Sequence, residues 1–468
     1  MGGMKTIIYT LILLSLNTHA VCTQEFQRAF FDTNSKRLSS VVDDLALKGV
    51  GKKIVVKGPF KLSGEIKINT AKNAYLPILT SVILSDKPVH LYDLPKISDV
   101  NKLKIILSEL GVTITEKGNV TTFDSSTLKT NMAVCDMVTK MRASILFLGP
   151  LIARYGAGKV ALPGGCPIGA RPIDLHLEGL KALGVNFEEG DDFVQGIGKF
   201  NSLVGSDISL YFPSVGATEN IMSAAILAKG ETIIRNAAKE PEIDDLMDFL
   251  NAMGAKISWI GDGVMKIEGV SELKEVHYRA IGDRIEAGTY VLMGLMSRSH
   301  VKISGFNPEH LGDALNVLKM MGANMKVGPD YIEVFPSQLR PVDVTTLPHP
   351  GFPTDMQAQL MALLTTVEGQ SKITETLFEN RFMHAEYFNK LGADITVEGN
   401  KATINGKENF VPNKVVATDL RAAAALIMMA SRIEGVTEIH DVKHLFRGYS
   451  DILEKLEEQG VDIKMINE

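Results

Sequence analysis

Cysteine is scarce in this 468-residue sequence. The three cysteines, Cys22, Cys135 and Cys166, are odd in number and lie far apart along the chain. A disulfide framework needs an even set, and a zinc site built on cysteine needs closely spaced pairs, so the spacing fits neither. We therefore expect a reducing compartment for the folded protein.

A strong excess of charge of one sign is also missing. The sequence has 49 Lys and Arg against 55 Asp and Glu, which gives a formal net charge of -6. No window is basic enough to bind a polyanion, so we expect no nucleic-acid partner. A hydrophobic content of 45% describes a globular chain, and its length allows two or three domains.

Long apolar runs are rare, and the clearest one lies near the N terminus. The run IIYTLILLSL follows Lys5 and precedes Thr18-His19-Ala20, which is typical of a secretory signal. It is too short to span a membrane as a helix. A start codon assigned too early, or a surface helix, explains it equally well. We treat residues 1–50 as a leader or targeting segment and expect the folded body to begin near Lys52, with no membrane partner.

A sixfold repeat organises that body. Six similar segments end a predicted helix at a glycine, and these glycines lie 68 to 73 residues apart. The segments are LSELGVTI, LKALGVNF, LNAMGAKI, LKMMGANM, FNKLGADI and LEEQGVDI, with Gly111, Gly184, Gly254, Gly322, Gly392 and Gly460. So constant a period indicates an internal repeat.

The segment ISDVNKLKIILSELGVTI shows the predicted unit most clearly. Ser98 is the expected N-cap, and Gly111 the expected left-handed residue between helix and strand. The predicted apolar face consists of Val100, Leu103, Leu107 and Leu110. Further helices and hairpins complete β-α-β-α-β-β units. Six units favour an α/β protein of two lobes with a ligand cleft between them, and a single elongated array is the alternative.

Departures from the repeat mark candidate site residues. Lys72 and Asn73 in NTAKNAYLPIL stand at a predicted helix N terminus, where an anion is favoured, although a lysine in this position is usually solvated. Arg142 leads a long apolar helix that has only Arg154 near its end. A structural pairing of Arg142 with a carboxylate is the alternative to a ligand contact.

The loop PGGCPIGARP, residues 163–172, carries a cysteine and an arginine. Its glycine pair predicts a mobile loop that exposes Cys166, with Arg171 on the same loop. An isolated cysteine is more often a small buried side chain. Nearby cations lower the pKa of a thiol and favour reactivity, so a chemical role stays open.

Two further segments supply candidates. In FPSVGATENIM, the residues Ser214, Val215 and Gly216 precede a helix whose N–H groups suit a phosphate, although an ordinary capped helix is favoured there. Asp355 in LPHPGFPTDMQAQ is either an N-cap or a general base.

The last candidates lie near the C terminus. Asp419 and Arg421 in ATDLRAAAAL suit a structural salt bridge, and Arg447 in HLFRGY suits the surface. All the candidates together supply several cations, one thiol and one carboxylate from both halves of the chain. That set suits a phosphorylated anionic substrate enclosed between closing lobes.

These motifs carry a resemblance to a known family. From about Lys52 to Met465, nearly nine-tenths of the chain, the sequence resembles the UDP-N-acetylglucosamine 1-carboxyvinyltransferases, which are enolpyruvyl transferases. The motifs are GEIKINTAKNAYLPIL, MRASILFLGPL, LPGGCPIGARPIDLH, FPSVGATENIM, PHPGFPTDMQAQ, TETLFENRFMH, ATDLRAAAAL and HLFRGY. The related shikimate 3-phosphate enzymes have a Ser-Lys-Ser type of lysine motif and lack the cysteine loop. Tyr75 departs from the family, which usually has a small residue there.

The resemblance implies a two-domain inside-out α/β barrel built from six β-α-β-α-β-β repeats, three per domain. Helices would lie inside and sheets outside. Residues 51–71 and 280–468 would form the lobe carrying Asp355 and Arg447. Residues 72–279 would form the lobe carrying Lys72, Arg142 and the Cys166 loop.

The resemblance also implies the reaction. The enolpyruvyl group of phosphoenolpyruvate would pass to the 3′-hydroxyl of UDP-N-acetylglucosamine with release of phosphate, the first committed step of peptidoglycan precursor synthesis. Cys166 would protonate the methylene carbon or add to the central carbon, and Asp355 would take the hydroxyl proton. The cations that would hold phosphoenolpyruvate are Lys72, Arg142, Arg171 and Arg447. The residues that would bind the sugar nucleotide are Asn73, Arg171, Pro172, Ile173, Asp174, Leu175, Ser214, Val215, Gly216 and Leu377, supported by Asp419 and Arg421.

Further expectations follow from the same resemblance. The reaction needs no metal or organic cofactor, the protein is a monomer, and Cys166 is the target of the epoxide antibiotic fosfomycin. A cytoplasmic location follows from the function, and the signal-like segment leaves organelle or secretory targeting as the alternative. The rival functions are a non-catalytic paralogue that binds the sugar nucleotide and a transferase with another acceptor.

Overall fold

A computed structural model describes residues 48–139, 141–162 and 172–468. Over these ranges the chain has 13 α-helices and 24 strands. The helices are α1 (Lys72–Ser81), α2 (Ser98–Leu110), α3 (Asp136–Thr139), α4 (Leu148–Tyr155), α5 (Asp174–Ala182), α6 (Val215–Ala225), α7 (Pro241–Ala252), α8 (Arg284–Met296), α9 (Asp313–Met320), α10 (Gln357–Leu364), α11 (Ala385–Lys390), α12 (Leu420–Ala430) and α13 (Ile452–Glu458). Cys166, Arg171 and residues 1–47 lie outside the described residues.

The strands alternate with these helices along the chain. They are β1 (Lys52–Gly58), β2 (Glu65–Lys67), β3 (Val89–Tyr92), β4 (Thr113–Lys117), β5 (Val120–Asp124), β6 (Met132–Ala133), β7 (Gly158–Ala161), β8 (Asn186–Glu189), β9 (Phe193–Ile197), β10 (Asp207–Ser209), β11 (Glu231–Arg235), β12 (Lys256–Gly261), β13 (Val264–Glu268), β14 (Val276–Tyr278), β15 (Val301–Ser304), β16 (Met325–Val327), β17 (Tyr331–Val334), β18 (Asp343–Thr345), β19 (Gln370–Thr374), β20 (Asp394–Glu398), β21 (Lys401–Asn405), β22 (Lys414–Val416), β23 (Gly435–His440) and β24 (Asp462–Asn467).

Across the described ranges the strands form six sheets of four strands each. Every sheet contains one parallel pair at an edge and two antiparallel pairs. The strand orders are β14-β3-β5-β4, β6-β7-β9-β8, β10-β11-β13-β12, β2-β15-β17-β16, β18-β19-β21-β20 and β22-β23-β1-β24. One pairing scheme therefore serves all six sheets.

Three strands join sheets that are distant in sequence. Strand β1 lies between β23 and β24, and β2 pairs with β15, so the first strands belong to sheets of the C-terminal half. Strand β14 returns to pair with β3 in the N-terminal half. The chain thus crosses between the halves twice, once after β2 and once after β14.

The buried apolar residues form two clusters. One cluster runs from Ile54 to Ile68 and from Ile285 to Ile463, and the other from Ala71 to Ala280. Within the first, every residue of α8 is buried, and α12 is buried except at Leu420. A helix that is buried on all sides must be enclosed by other elements, whereas the strands alternate buried and accessible residues.

The predicted repeat segment is confirmed in its main features. Helix α2 spans the predicted residues, its four apolar positions are buried, and Gly111 has φ 101° before β4. The glycines of the other five segments also have positive φ, between 80° and 102°. The cap prediction was wrong, because Ser98 is the first helical residue and the extended Ile97 precedes it.

Tyr75, which departs from the family, is a core residue. Its side chain is fully buried, its hydroxyl donates to the carbonyl oxygen of Tyr92, and it accepts from the Ala280 N–H at 3.2 Å. The tyrosine therefore ties α1 to β3 and to the segment after β14.

None of the helices within the described ranges combines the length and hydropathy that a membrane crossing requires.

Asp245 on α7 gives a testable pH dependence. Its Oδ1 accepts from the Tyr278 hydroxyl at 2.7 Å, and burial raises the pKa of Asp245 to about 7. Since the pKa in the unfolded chain is about 3.9, the protonated carboxyl stabilises the fold at low pH, and this contribution is lost as pH rises through about 7. We expect Asp245→Asn to gain about 1–3 kcal/mol in free energy of unfolding relative to the parent between pH 5 and pH 8. Urea denaturation at both pH values measures this, and an equal difference at the two values would contradict it.

Candidate active site

Lys72 begins helix α1 and is buried there. Its backbone N–H donates to Asp283 Oδ2 at 3.2 Å, and its Nζ lies 2.9 Å from Asp99 Oδ2. Asp283 also caps α8 by accepting from the Ile285 and Glu286 N–H groups. The alternative of a solvated lysine was wrong, since Lys72 is only 7% exposed.

Asp99 joins Lys72 to Arg447. The Arg447 guanidinium reaches the two Asp99 oxygens through Nε at 3.1 Å and Nη2 at 3.2 Å, from a 3₁₀ turn over Val442–Arg447. Arg447 is therefore part of an ion cluster, and with 38% of its side chain exposed it also lies at the surface, as the sequence suggested. Because Asp99 belongs to one half and Arg447 to the other, this cluster bridges the two apolar cores.

The charged groups of this cluster shift one another's pKa values. Burial alone would raise the pKa of Asp99, but Lys72 and Arg447 outweigh burial and hold it well below its usual range. The pKa of Lys72 is lowered, mainly by burial and also by Arg447 and Arg421, although Asp99 opposes this shift. Lys102 Nζ also lies 3.8 Å from Asp99 Oδ1, so three cations surround one carboxylate, and the net positive charge favours an anion.

Asp355 is held by two arginines. It lies in a 3₁₀ turn, Thr354–Met356, before α10, and its Oδ1 is 2.8 Å from Arg381 Nη2 while its Oδ2 is 2.7 Å from Arg421 Nη2. Burial would raise the pKa of Asp355, but Arg421 and then Arg381 hold it well below its usual range. The carboxylate is therefore ionised, and with 32% of its side chain exposed it is open to a ligand. The N-cap alternative was wrong, because the carboxylate accepts from side chains.

Asp419 and Arg421 have separate tasks. Asp419 Oδ1 caps α12 by accepting from the N–H groups of Arg421 at 2.7 Å and Ala422 at 3.1 Å. The Arg421 guanidinium instead extends to Asp355 and to the Tyr449 hydroxyl at 3.4 Å. The expected salt bridge between the two was wrong, since the arginine side chain has Asp355 as its partner.

Glu375 connects the Asp355 turn to the predicted position Leu377. Glu375 Oε2 accepts from Thr354 Oγ1 at 2.8 Å, and its Oε1 accepts from the Leu377 N–H at 2.9 Å. Leu377 is half-buried beside the turn that carries the carboxylate. One buried glutamate thus fixes both segments.

A second group of predicted residues surrounds His176. A Cβ on Gly216 would lie 3.1 Å from His176 Cε1, so the loop before α6 approaches the ring closely. The pKa of His176 is lowered to about 4 by burial and by the charge of Arg142, opposed by Asp174. Asp174 Oδ2 in turn accepts from the Tyr211 hydroxyl at 2.5 Å. Arg142, Asp174 and Gly216 therefore share one region, around a neutral imidazole.

The remaining predicted residues are placed around these groups. Ser214 Oγ accepts from the Ala217 N–H at 3.3 Å, so the capped-helix alternative is confirmed there, and Val215 opens α6. Before α5, Pro172 is exposed and Ile173 half-buried, and Leu175 is buried within α5. Asn73 is half-buried in the first turn of α1.

Four residues that hold the site were missed from the sequence: Asp99, Asp283, Glu375 and Arg381. Each is a charged side chain with a side-chain or backbone partner outside its own segment, from Thr354 and Glu375, 21 positions apart, to Asp99 and Arg447, 348 positions apart. The one available signal was Asp99 in the first turn of the best-defined helix, where an acidic residue is normally explained by the helix dipole. Arg154, in contrast, donates to the carbonyl oxygens of Ile83, Ser85 and Ser125, which is a structural task.

Comparison with known proteins places this fold in a class. The solved structure of the enolpyruvyl transferase NikO from Streptomyces tendae is similar, with a TM-score of 0.81 and 25% identity over 89% of this chain and 99% of that one. An EPSP synthase from Acinetobacter baumannii shares the fold at 16% identity, with a TM-score of 0.69 over 89% of this chain and 100% of that one. The architecture is thus the mixed α/β, two-domain fold of these transferases.

The sequence comparisons agree with this class. The family model described as EPSP synthase (3-phosphoshikimate 1-carboxyvinyltransferase) matches residues 56–456, and the chain belongs to this family of enolpyruvyl transferases. A relative from Staphylococcus aureus (strain N315), named UDP-N-acetylglucosamine 1-carboxyvinyltransferase 1, is 47% identical over 422 residues. The match covers 89% of this chain and 100% of that relative, and the protein from strain MW2 matches equally.

Proposed function

We propose that this protein is a transferase that moves the enolpyruvyl group of phosphoenolpyruvate to the 3′-hydroxyl of UDP-N-acetylglucosamine and releases phosphate. This is the first committed step of peptidoglycan precursor synthesis. The observation that carries the proposal is that Asp99 ties Lys72 to Arg447 of the other half, while the ionised Asp355 lies close enough for Lys72 to help lower its pKa. The full-length likeness to relatives named for this reaction supports the choice of substrates.

Phosphoenolpyruvate carries a carboxylate and a phosphate, so its site must supply several cations. We assign this task to Lys72, Arg142, Arg171 and Arg447. Asp99 fixes Lys72 and Arg447 beside each other, and the cluster keeps a net positive charge for the substrate. Preorganised cations of this kind need little rearrangement when charge develops on the departing phosphate.

Asp355 is proposed to take the proton of the sugar hydroxyl. At the same time the hydroxyl oxygen of the sugar bonds to the central carbon of phosphoenolpyruvate. The methylene carbon gains a proton, which we assign to Cys166, with covalent addition of the thiol to the central carbon as the alternative. The carbon–oxygen bond to phosphate then breaks, and the methyl group returns a proton to restore the double bond. Arg381 and Arg421 lower the basicity of Asp355, so the base is strengthened if a substrate draws either arginine away.

The sugar nucleotide is proposed to lie along the region around His176 and the Asp355 turn. Its binding residues are Asn73, Arg171 to Leu175, Ser214 to Gly216 and Leu377, with Asp419 and Arg421 as supports. Gly216 suits this task because the absence of a side chain lets a ligand approach the α6 N terminus and the buried His176 ring.

The finer architecture is part of the proposal. Residues 51–71 with 280–468, and residues 72–279, would form two inside-out barrels, each of three β-α-β-α-β-β units. The two apolar clusters and the pairing of β1 and β2 with C-terminal strands support this division. We further propose a monomer that acts on small molecules in the cytoplasm, where bacteria make both substrates, without a metal or organic cofactor in the reaction.

Acceptor choice tests the proposal. Phosphate release from phosphoenolpyruvate is measured with UDP-N-acetylglucosamine and, separately, with shikimate 3-phosphate. We expect release with the sugar nucleotide only. Phosphate release with shikimate 3-phosphate alone would show that this compound, and not the sugar nucleotide, is the acceptor. Binding of the sugar nucleotide without any turnover would favour the non-catalytic paralogue.

Cys166→Ser tests the assigned thiol. We expect this variant to lose covalent modification by fosfomycin and to turn over slowly, since a hydroxyl is a far weaker acid and nucleophile than a thiol. Intact mass after incubation with fosfomycin measures the labelling. Cys135→Ser is the matched control, because Cys135 is a buried thiol of the same chain. Labelling that persists in Cys166→Ser and vanishes in Cys135→Ser would show that the wrong thiol was assigned.

A further inference from the structure

A cluster of two histidines and one glutamate lies on an outward face of the sheet β14-β3-β5-β4. Its members are His90 on β3, His277 on β14 and Glu275 just before β14, and one ligand atom from each lies within 4.8 Å of the other two. None of the three belongs to the residues proposed for the transferase reaction. The expectation that no metal is needed concerned that reaction.

The strand register explains why these side chains meet. His277 pairs with His90 across the parallel edge, and His90 pairs with Thr122 across the antiparallel one, so the three stand side by side. Glu275 lies two positions before His277, and alternate residues of an extended segment point to the same face. The neighbouring positions Val89, Leu91 and Val276 are buried in the core, which directs the histidine face outward.

The distances fit one ion. His90 Nε2 lies 3.0 Å and His277 Nε2 3.9 Å from Glu275 Oε1. Donor atoms that share a tetrahedral Zn²⁺ at about 2.0–2.1 Å lie about 3.3 Å apart, and the two measured distances bracket that value. Imidazole nitrogen together with carboxylate oxygen is a donor set that Zn²⁺ accepts readily.

Second partners orient both rings. His90 Nδ1 is 2.8 Å from Thr122 Oγ1, and His277 Nδ1 is 3.1 Å from the Tyr92 hydroxyl. His90 Nε2 therefore faces the glutamate at 3.0 Å. The His277 ring stacks on His90, with centroids 4.2 Å apart and 16° between the ring planes, so it must turn for its Nε2 to reach the same ion. Histidines that bind metals are typically held in this way by a hydrogen bond to the other ring nitrogen.

We propose that His90, Glu275 and His277 bind one Zn²⁺ ion, with water completing the coordination, and that the ion fastens β14 to β3. Strand β14 is short, with three residues paired to β3, and the chain after it crosses to the other half. The ion would take the place of the direct hydrogen bond between His90 and Glu275, and His277 would become its third protein ligand. Its task is to hold the crossing segment in place.

The test uses the full chain, stripped with a chelator and titrated with Zn²⁺ by calorimetry, and its melting temperature with and without Zn²⁺. We expect one ion per chain and a higher melting temperature with Zn²⁺. His277→Ala and Glu275→Gln are each expected to weaken binding at least tenfold, since even outer-shell changes cost about 10–100-fold. His300→Ala is the matched control, because His300 forms a surface pair with Glu333 at 2.8 Å on another sheet. It should bind Zn²⁺ as the parent does.

Three results would overturn the proposal. They are no binding by the stripped parent protein, equal affinity in the parent and His277→Ala, and binding that disappears in Cys166→Ser but persists in His277→Ala. The first two would leave a hydrogen-bonded surface cluster without an ion, and the third would place the ion at the thiol. Circular dichroism of each variant excludes misfolding as the cause of lost binding, and phosphate release is expected to be unchanged in His277→Ala.

Discussion

Asp355→Asn is expected to lower kcat by about 10²–10⁴-fold while leaving the affinity for UDP-N-acetylglucosamine largely intact, because only proton removal from the hydroxyl is lost. Asparagine is preferred to alanine, since alanine would leave Arg381 and Arg421, both nearly buried, around an empty space. Steady-state kinetics and calorimetric titration of the sugar nucleotide measure the two effects separately.

The rate of Asp355→Asn, compared with that of a control aspartate, separates a base from a structural residue. Because the two arginines keep the pKa of Asp355 well below its usual range, it stays ionised at neutral pH and gives no acid limb of kcat/KM near neutrality. Asp313→Asn is the matched control, an exposed aspartate at the head of α9 in the same half, and should behave like the parent. A near-normal kcat in Asp355→Asn would remove Asp355 from the role of base.

Asp99→Ala is expected to have the largest effect on stability. The change leaves Lys72 buried without its carboxylate and releases Arg447, and breaking a buried ion pair in this way costs about 3–5 kcal/mol. The free energy of unfolding from denaturant titration measures the loss. We also expect a higher KM for phosphoenolpyruvate, because the two cations repel each other once the carboxylate between them is removed.

Two further variants define what Asp99 does. Asp207→Asn removes an equally bidentate pair, with Arg235, that lies on the surface, and should leave the melting temperature nearly unchanged. Asp99→Asn keeps the shape but not the charge, so a raised KM in this variant with near-parental stability would show that Asp99 positions the cations. Stability and KM that both match the parent in Asp99→Ala would contradict the account of this cluster.

The sequence predicted local structure well where one helix or one turn decides it. Helix α2 and the left-handed Gly111 follow from apolar spacing and from the absence of a side chain at the glycine. The position of Lys72 at the start of α1 was predicted from the apolar pattern of the residues that follow it. The Ser98 cap failed because a polar residue at a helix start is compatible with either the cap or the first helical position.

Charge partners could not be predicted in this way. The pairing of Arg421 with Asp355, and not with the nearby Asp419, depends on how α12 packs against a 3₁₀ turn 66 positions away in the chain. The pairing of Arg447 with Asp99 likewise depends on contact between the halves. The sixfold repeat suggested three units per lobe. It contained no sign that β1 and β2 join C-terminal sheets, and only the family resemblance implied this crossover.

We propose that the cations around Asp99 and the carboxylate of Asp355 together carry out enolpyruvyl transfer. The most direct measurement incubates the purified full chain with phosphoenolpyruvate and UDP-N-acetylglucosamine and follows both phosphate and the mass of the sugar nucleotide. The account predicts one enolpyruvyl group gained by the sugar nucleotide for each phosphate released, and neither product in Asp355→Asn on the same time scale. Phosphate release without a gain in sugar-nucleotide mass, or no reaction from a folded protein, would contradict it.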